Sequence, residues 1–239
     1  MMRKVLPNLI TTMNLALGMV ALMNAYDGRY QVAAIIVMVG MALDGLDGRV
    51  ARALGAQSEF GKELDSLSDL VTFGVAPAVI MYIAALRDLG LTGDLIAVLF
   101  PIAGALRLAR FNTQSGRTQY FVGLPITAAG GILSAFALYH GLIPTFWLPI
   151  LTVALSYLMV SKTRYPNFKR VGLPKRAATV IPLLAVFVAI LFVRHRDLVP
   201  GLVFVVLALY GGYGVWYDIR AFVRRRAKER ERLERAQSK

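Results

Sequence analysis

The chain has 239 residues, of which 57% are hydrophobic and only 17% charged, with a net charge of +13 and a mean hydropathy of +0.59. A soluble domain is nearer half apolar and about a quarter charged, so this composition excludes an ordinary soluble fold and points to an all-α, polytopic membrane helix bundle. Nucleic acid is a poor explanation of the positive charge, which sits beside apolar spans, and without cysteine there is no disulfide or thiol chemistry to read.

In chain order, about eight spans are expected, near 8–25, 31–52, 61–86, 94–111, 124–141, 145–161, 176–194 and 199–219, or six if two segments are re-entrant. The start "MMRKVLPNLI" is basic, but Asn8, Thr11, Thr12 and Asn14 interrupt its apolar run and no small-residue cleavage site follows, so no cleavable signal peptide is expected. Pro125, Pro144 and Pro174 fall near helix starts, whereas Pro77, Pro101 and Pro182 fall inside spans and predict kinks. Residues 1–219 read as one membrane domain. Residues 220–239, "RAFVRRRAKERERLERAQSK", read as a separate basic tail, either a topology anchor or a contact for anionic headgroups.

With the N-terminus inside, four cations fall on the outer side (Arg29, Arg87, Arg194 and Arg196), leaving 23 of the 27 Lys and Arg on the inner side. The positive-inside rule then places both termini in the cytoplasm, with the cell membrane the expected location. The same face receives Asp44, Asp47, Asp65 and Asp69.

An aspartate inside a bilayer costs about 2.5–3.5 kcal/mol on insertion scales, so such residues face a cavity, a partner or an ion. Asp44 and Asp47 are three apart, and Asp65 and Asp69 four apart, so each pair shares a helix face. A short loop makes the two helices antiparallel neighbours, which lets the pairs face each other. Four converging carboxylates repel unless a counter-charge is present, and the counter-charge that suits oxygen ligands is a hard divalent cation. Two cations would balance four aspartates, as in sites that clamp phosphoryl groups. Gly45, Gly48 and Gly61 thin the side-chain layer, and Arg52, on the face of Gly48, can grip a phosphate. Together these features describe a pyrophosphate site. The alternatives are an interfacial loop with its helix ends, a cation carrier, or a non-catalytic scaffold.

Asp44, Asp47-Gly48, Ala51-Arg52, Gly61, Asp65 and Asp69 spell D-x-x-D-G-x-x-A-R-x8-G-x3-D-x3-D, which resembles the signature of the CDP-alcohol phosphatidyltransferase family. The resemblance implies that Asp44, Asp47, Asp65 and Asp69 hold Mg or Mn, two ions in all, and that Asp69 is also the general base. It implies that Gly48, Arg52, Ser58, Gly61, Asn8 and Thr11 bind the CDP-lipid, although Asn8 and Thr11 read equally well as helix capping. Three stretches, "GALRLARFN", "YFVGLPITAAGG" and "YLMVSKTRYPNFK", resemble the branch that makes phosphatidylserine from CDP-diacylglycerol and L-serine, with Thr127 standing where that branch has proline. Arg107, Arg110 and Asn112 are then candidates for the acceptor, or a positive-inside flank. Lys162 and Arg164 are weaker candidates of the same kind, and His140 and His195 read as structural. A sister transferase acting on glycerol 3-phosphate, inositol phosphate or choline is the near alternative. The resemblance also suggests a homodimer.

Overall fold

The computed structural model describes residues 2–113, 120–161 and 163–166. The two expected spans near 176–194 and 199–219, the tail 220–239, and Arg117, Lys162, Pro174, Pro182 and His195 lie outside the described residues.

Helix α1 (Met2–Tyr26) and α2 (Tyr30–Ala53) form an antiparallel hairpin. Gly28, at φ +74°, allows the tight reversal: its N–H reaches the Ala25 carbonyl and the Arg29 N–H reaches that of Asn24. The same device ends α2. Gly55, at φ +59°, donates to the Arg52 carbonyl, and Ala56 donates to that of Ala51. Two residues later Ser58 caps α3 (Glu59–Asp69), its hydroxyl accepting from the Gly61 N–H at 3.1 Å. Nothing but this compact turn separates the two carboxylate-bearing helices, so their facing ends are closely fixed.

The third span runs from Glu59 to Leu89 and is not a uniform α-helix. After α3 it widens into a π segment, Leu70–Val75, returns to α4 (Ala76–Met81), widens again over Tyr82–Leu86, and closes with a 3-10 turn, Arg87–Leu89. Pro77 explains the first widening. It has no N–H to give the Phe73 carbonyl four residues back, and its ring would crowd that carbonyl in a tight turn. The kink expected from Pro77 therefore takes the form of a π segment beginning immediately after Asp69.

Helix α5 (Leu91–Thr113) carries Pro101 within one continuous helix. Helix α6 (Ile126–Leu138) is buried along nearly its whole length, and α7 (Trp147–Val160) packs against α5 and α6. Both α6 and α7 are shorter than expected. Among the described residues, four helical segments, Val5–Tyr26, Tyr30–Ala53, Glu59–Leu89 and Leu91–Thr113, are long and apolar enough to cross a membrane.

Two short strands were not expected. β1 (Tyr120–Val122) pairs antiparallel with β2 (Arg164–Pro166), Phe121 opposite Tyr165. The ladder continues into the helices, with Gly123 donating to Thr163 and Leu124 to Leu158. It ties the start of α6 to the end of α7.

Close helix contact rests on small residues and buried hydroxyls, the usual means in a bilayer, where apolar surface gains little by leaving lipid. Ser68 donates to the Thr11 carbonyl at 3.1 Å and Thr72 to that of Asn14 at 3.0 Å, joining the third span to α1. Gly18 admits Thr72, since a β-carbon there would lie 2.9 Å from its Cα. Gly130 likewise lets α6 lie directly against the Phe73 backbone.

Candidate functional site

The four aspartates gather at one end of the bundle. Asp44 and Asp47 come from the last turns of α2, Asp65 and Asp69 from α3. Asp44, Asp47 and Asp65 each offer a carboxylate oxygen, and these oxygens lie within 4.8 Å of one another. Asp69, 8% exposed, lies against Asp44 and Asp65, with the Arg107 guanidinium also nearby. One of its carboxylate oxygens, Oδ1, is buried with no hydrogen-bond partner among the described residues.

The donors are all carboxylate oxygens, three are close enough to share one ion, and an orphaned buried oxygen adjoins them. That set suits a hard divalent ion and is poor for a soft one. The acidic cluster can hold a metal ion.

Asp47 is held by two donors. Its Oδ1 accepts from the Gly48 N–H, and its Oδ2 from the Thr11 hydroxyl at 3.0 Å. The Thr11 hydroxyl also lies 3.1 Å from the Pro7 carbonyl, within helix α1 rather than at its start. Helix capping therefore does not describe Thr11; it braces the acidic cluster from the neighbouring helix.

Beside the cluster lies a cavity of about 650 Å³. The six residues expected to bind the CDP-lipid, Asn8, Thr11, Gly48, Arg52, Ser58 and Gly61, all line it, together with Asp47 and Asp65. A β-carbon at Gly61 would meet the Asn8 side-chain oxygen at 3.1 Å, so glycine there keeps this wall open. Ser58 also caps α3. Gly45 has open space around it.

The acceptor candidates behave differently. Arg107, Arg110 and Asn112 are not among the residues lining this cavity. Arg107 is buried, its guanidinium 5.7 Å from the Phe111 ring centroid. Arg110 turns to the end of α7, donating to the Val160 carbonyl at 2.8 Å. Asn112 donates to Ser66 at 3.0 Å and Glu63 at 3.2 Å, pinning α5 to α3. The two arginines therefore turn to different neighbours. The three stretches that resemble the serine branch do meet in space, through the Arg110 bond to α7 and the ladder from β1 to β2. His140 stacks edge-on to Tyr30, with ring centroids 5.1 Å apart, at the opposite end of α2 from the aspartates.

Sequence reasoning missed Lys62 and Phe111, which also line the cavity. For Lys62 a signal was present: it stands three residues before Asp65, on the same helical face.

The fold and site define a membrane-embedded helical protein with a carboxylate cluster beside a pocket, and the chain belongs to the CDP-alcohol phosphatidyltransferase family, whose model matches residues 4–160. Among individual relatives, it is 38% identical to the CDP-diacylglycerol–serine O-phosphatidyltransferase of Helicobacter pylori over 218 residues, 87% of this chain and 89% of that one. It is 41% identical to the enzyme of the same name from Bacillus subtilis over 165 residues, 69% of this chain and 92% of that one. It is 37% identical to the archaetidylserine synthase of Methanothermobacter thermautotrophicus over 169 residues, 70% of this chain and 72% of that one.

Proposed function

We propose that this protein transfers the phosphatidyl group of CDP-diacylglycerol to the hydroxyl of L-serine, giving phosphatidylserine and CMP. The observation that carries the reading is the placement of Asp44, Asp47 and Asp65 beside a cavity lined by all six residues expected to hold the CDP-lipid. The names of the three relatives support serine as the acceptor.

Asp44, Asp47 and Asp65 would hold a divalent cation, Mg or Mn, with Asp69 completing the site of a second; such ions offset the diphosphate charge. Arg52 grips a phosphate of the CDP-lipid, and Gly48 and Gly61 leave room for the nucleotide at the backbone. Asn8 and Thr11 supply polar contacts on the opposite wall. Asp69 accepts the proton of the serine hydroxyl as that oxygen bonds to the phosphorus bearing diacylglycerol. The bond from that phosphorus to the CMP oxygen breaks, and CMP leaves with the electron pair. The chain's part is mainly positioning and charge complementarity, which dominate catalysis at phosphorus. Arg107, close to Asp69, is the better placed of the acceptor candidates for the serine carboxylate. Arg110 and Asn112 support the walls of the site.

The excess of Lys and Arg on one side supports an active site and both termini on the cytoplasmic face of the cell membrane. Residues 1–219 as a membrane domain and 220–239 as a basic cytoplasmic tail belong to the same reading. A homodimer is part of the same reading, on family resemblance.

Purified protein given CDP-diacylglycerol and a panel of serine, glycerol 3-phosphate, inositol phosphate and choline tests the reading. CMP release with serine alone is expected. Release with another alcohol and not serine would make it a sister transferase, and no release with any would remove the transferase reading.

A further inference from the structure

We infer that Lys62 is a second phosphate-binding residue of the cavity, facing Arg52 and gripping the CDP diphosphate from the other wall; the inference rests on the reading that this cavity takes a CDP-lipid. Nothing in the family signature singles Lys62 out. Its position does.

The turn at Gly55 joins α2 to α3, and Asp44 and Asp47 of α2 bring carboxylate oxygens within 4.8 Å of one from Asp65 of α3. On α2, Arg52 lies one turn beyond Gly48, toward the connecting turn. On α3, Lys62 lies one turn before Asp65, again toward the connecting turn. Each wall therefore presents a carboxylate deeper in the bundle and a cation nearer its end. Asp47, Asp65, Arg52 and Lys62 all line the one cavity.

Lys62 is half-buried and held in place. Its ammonium donates to the Asn112 carbonyl at 3.2 Å, one residue from the end of α5. The partial negative charge of a helix C-terminus favours a cation there. An ammonium has three donors and this bond uses one, so the group is fixed with capacity to spare. Two cations lining one cavity suit a ligand with two linked anionic centres. The planar fork of Arg52 fits one phosphate bidentately, and the compact charge of Lys62 fits the other.

The competing anion is the carboxylate of the acceptor. The cavity favours the diphosphate, because Lys62 shares it with Asn8, Thr11 and Gly48, whereas the side chains of Arg107, Arg110 and Asn112 lie outside its lining.

The test uses the full chain in detergent with Mg, titrated calorimetrically with CDP and with cytidine. Lys62→Gln is expected to bind CDP about tenfold more weakly, with cytidine affinity and the KM for serine unmoved. Lys62→Arg should recover most of the loss. Ser66→Ala removes the hydroxyl that receives Asn112 and leaves Lys62 intact, so the preference for CDP over cytidine should persist. Wild-type CDP affinity in Lys62→Gln overturns the inference. So does an equal loss for CDP and cytidine, the mark of a purely structural clamp, or a raised serine KM with CDP unchanged. Lys62→Met carries the same comparison if Lys62→Gln does not fold. A wild-type protein that binds CDP no better than cytidine sinks both this inference and the CDP-lipid reading; one that prefers CDP while Lys62→Gln matches it sinks this inference alone.

Discussion

The Thr11 hydroxyl donates to Asp47 Oδ2 at 3.0 Å, across the interface between the first two helices. Thr11 is itself held from the other side, because Ser68 donates to its carbonyl. Three helices therefore converge on one carboxylate, which is how an acidic group is aimed when its neighbours repel it. Partners of this kind orient ligand oxygens, and their loss commonly weakens metal binding 10–100-fold.

Thr11→Val should lower Mn affinity by at least about tenfold while the helical content is retained. Thr11→Ser, which keeps the donor, should restore it. Electron paramagnetic resonance of free Mn during titration reads this without reference to turnover. An unchanged affinity in Thr11→Val would remove the bracing role.

Asp44→Asn, Asp65→Asn and Asp69→Asn should each abolish CMP release from CDP-diacylglycerol with the fold intact. Without metal, these variants should melt no lower than wild type, since each relieves repulsion among crowded carboxylates. The paired measurements are the turnover assay and thermal unfolding in chelator. Full activity in any of the three contradicts the site.

Metal removal gives a reversible version of the same experiment. EDTA should stop CMP release, and excess Mg or Mn should restore it. Undiminished turnover in chelator would rule out the metal's role.

The amount of this architecture visible beforehand differs by feature. The aspartate motif was legible because it is local: i, i+3 and i, i+4 spacing on two helices joined by a tight turn fixes which faces meet. The six pocket residues were legible through family resemblance, and the cavity does collect them. The π segments were not, because Pro77 announces a disturbance but not its form. The pairing of Tyr120–Val122 with Arg164–Pro166 joins residues more than forty apart, and no short-range pattern encodes it. Arg110 and Asn112 are acceptor candidates through family resemblance alone; their hydrogen-bond partners lie on other helices, where spacing says nothing.

Two glycines separate packing from open space. Gly130→Ala would push a β-carbon into the Phe73 backbone and should destabilise the protein by about 1–3 kcal/mol. Gly45→Ala meets nothing within 4 Å and should be neutral or stabilising by up to about 1 kcal/mol. Thermal unfolding in detergent checks both. A Gly130→Ala variant as stable as wild type would show that the α6 contact is looser than described.

The central claim is that carboxylates from two helices capture a divalent ion beside the cavity. Anomalous scattering from crystals soaked with Mn tests it most directly. The expected result is a peak bounded by Asp44, Asp47 and Asp65, lost in Asp65→Asn. Crystals of protein competent in CMP release that show no peak among these side chains would contradict the account.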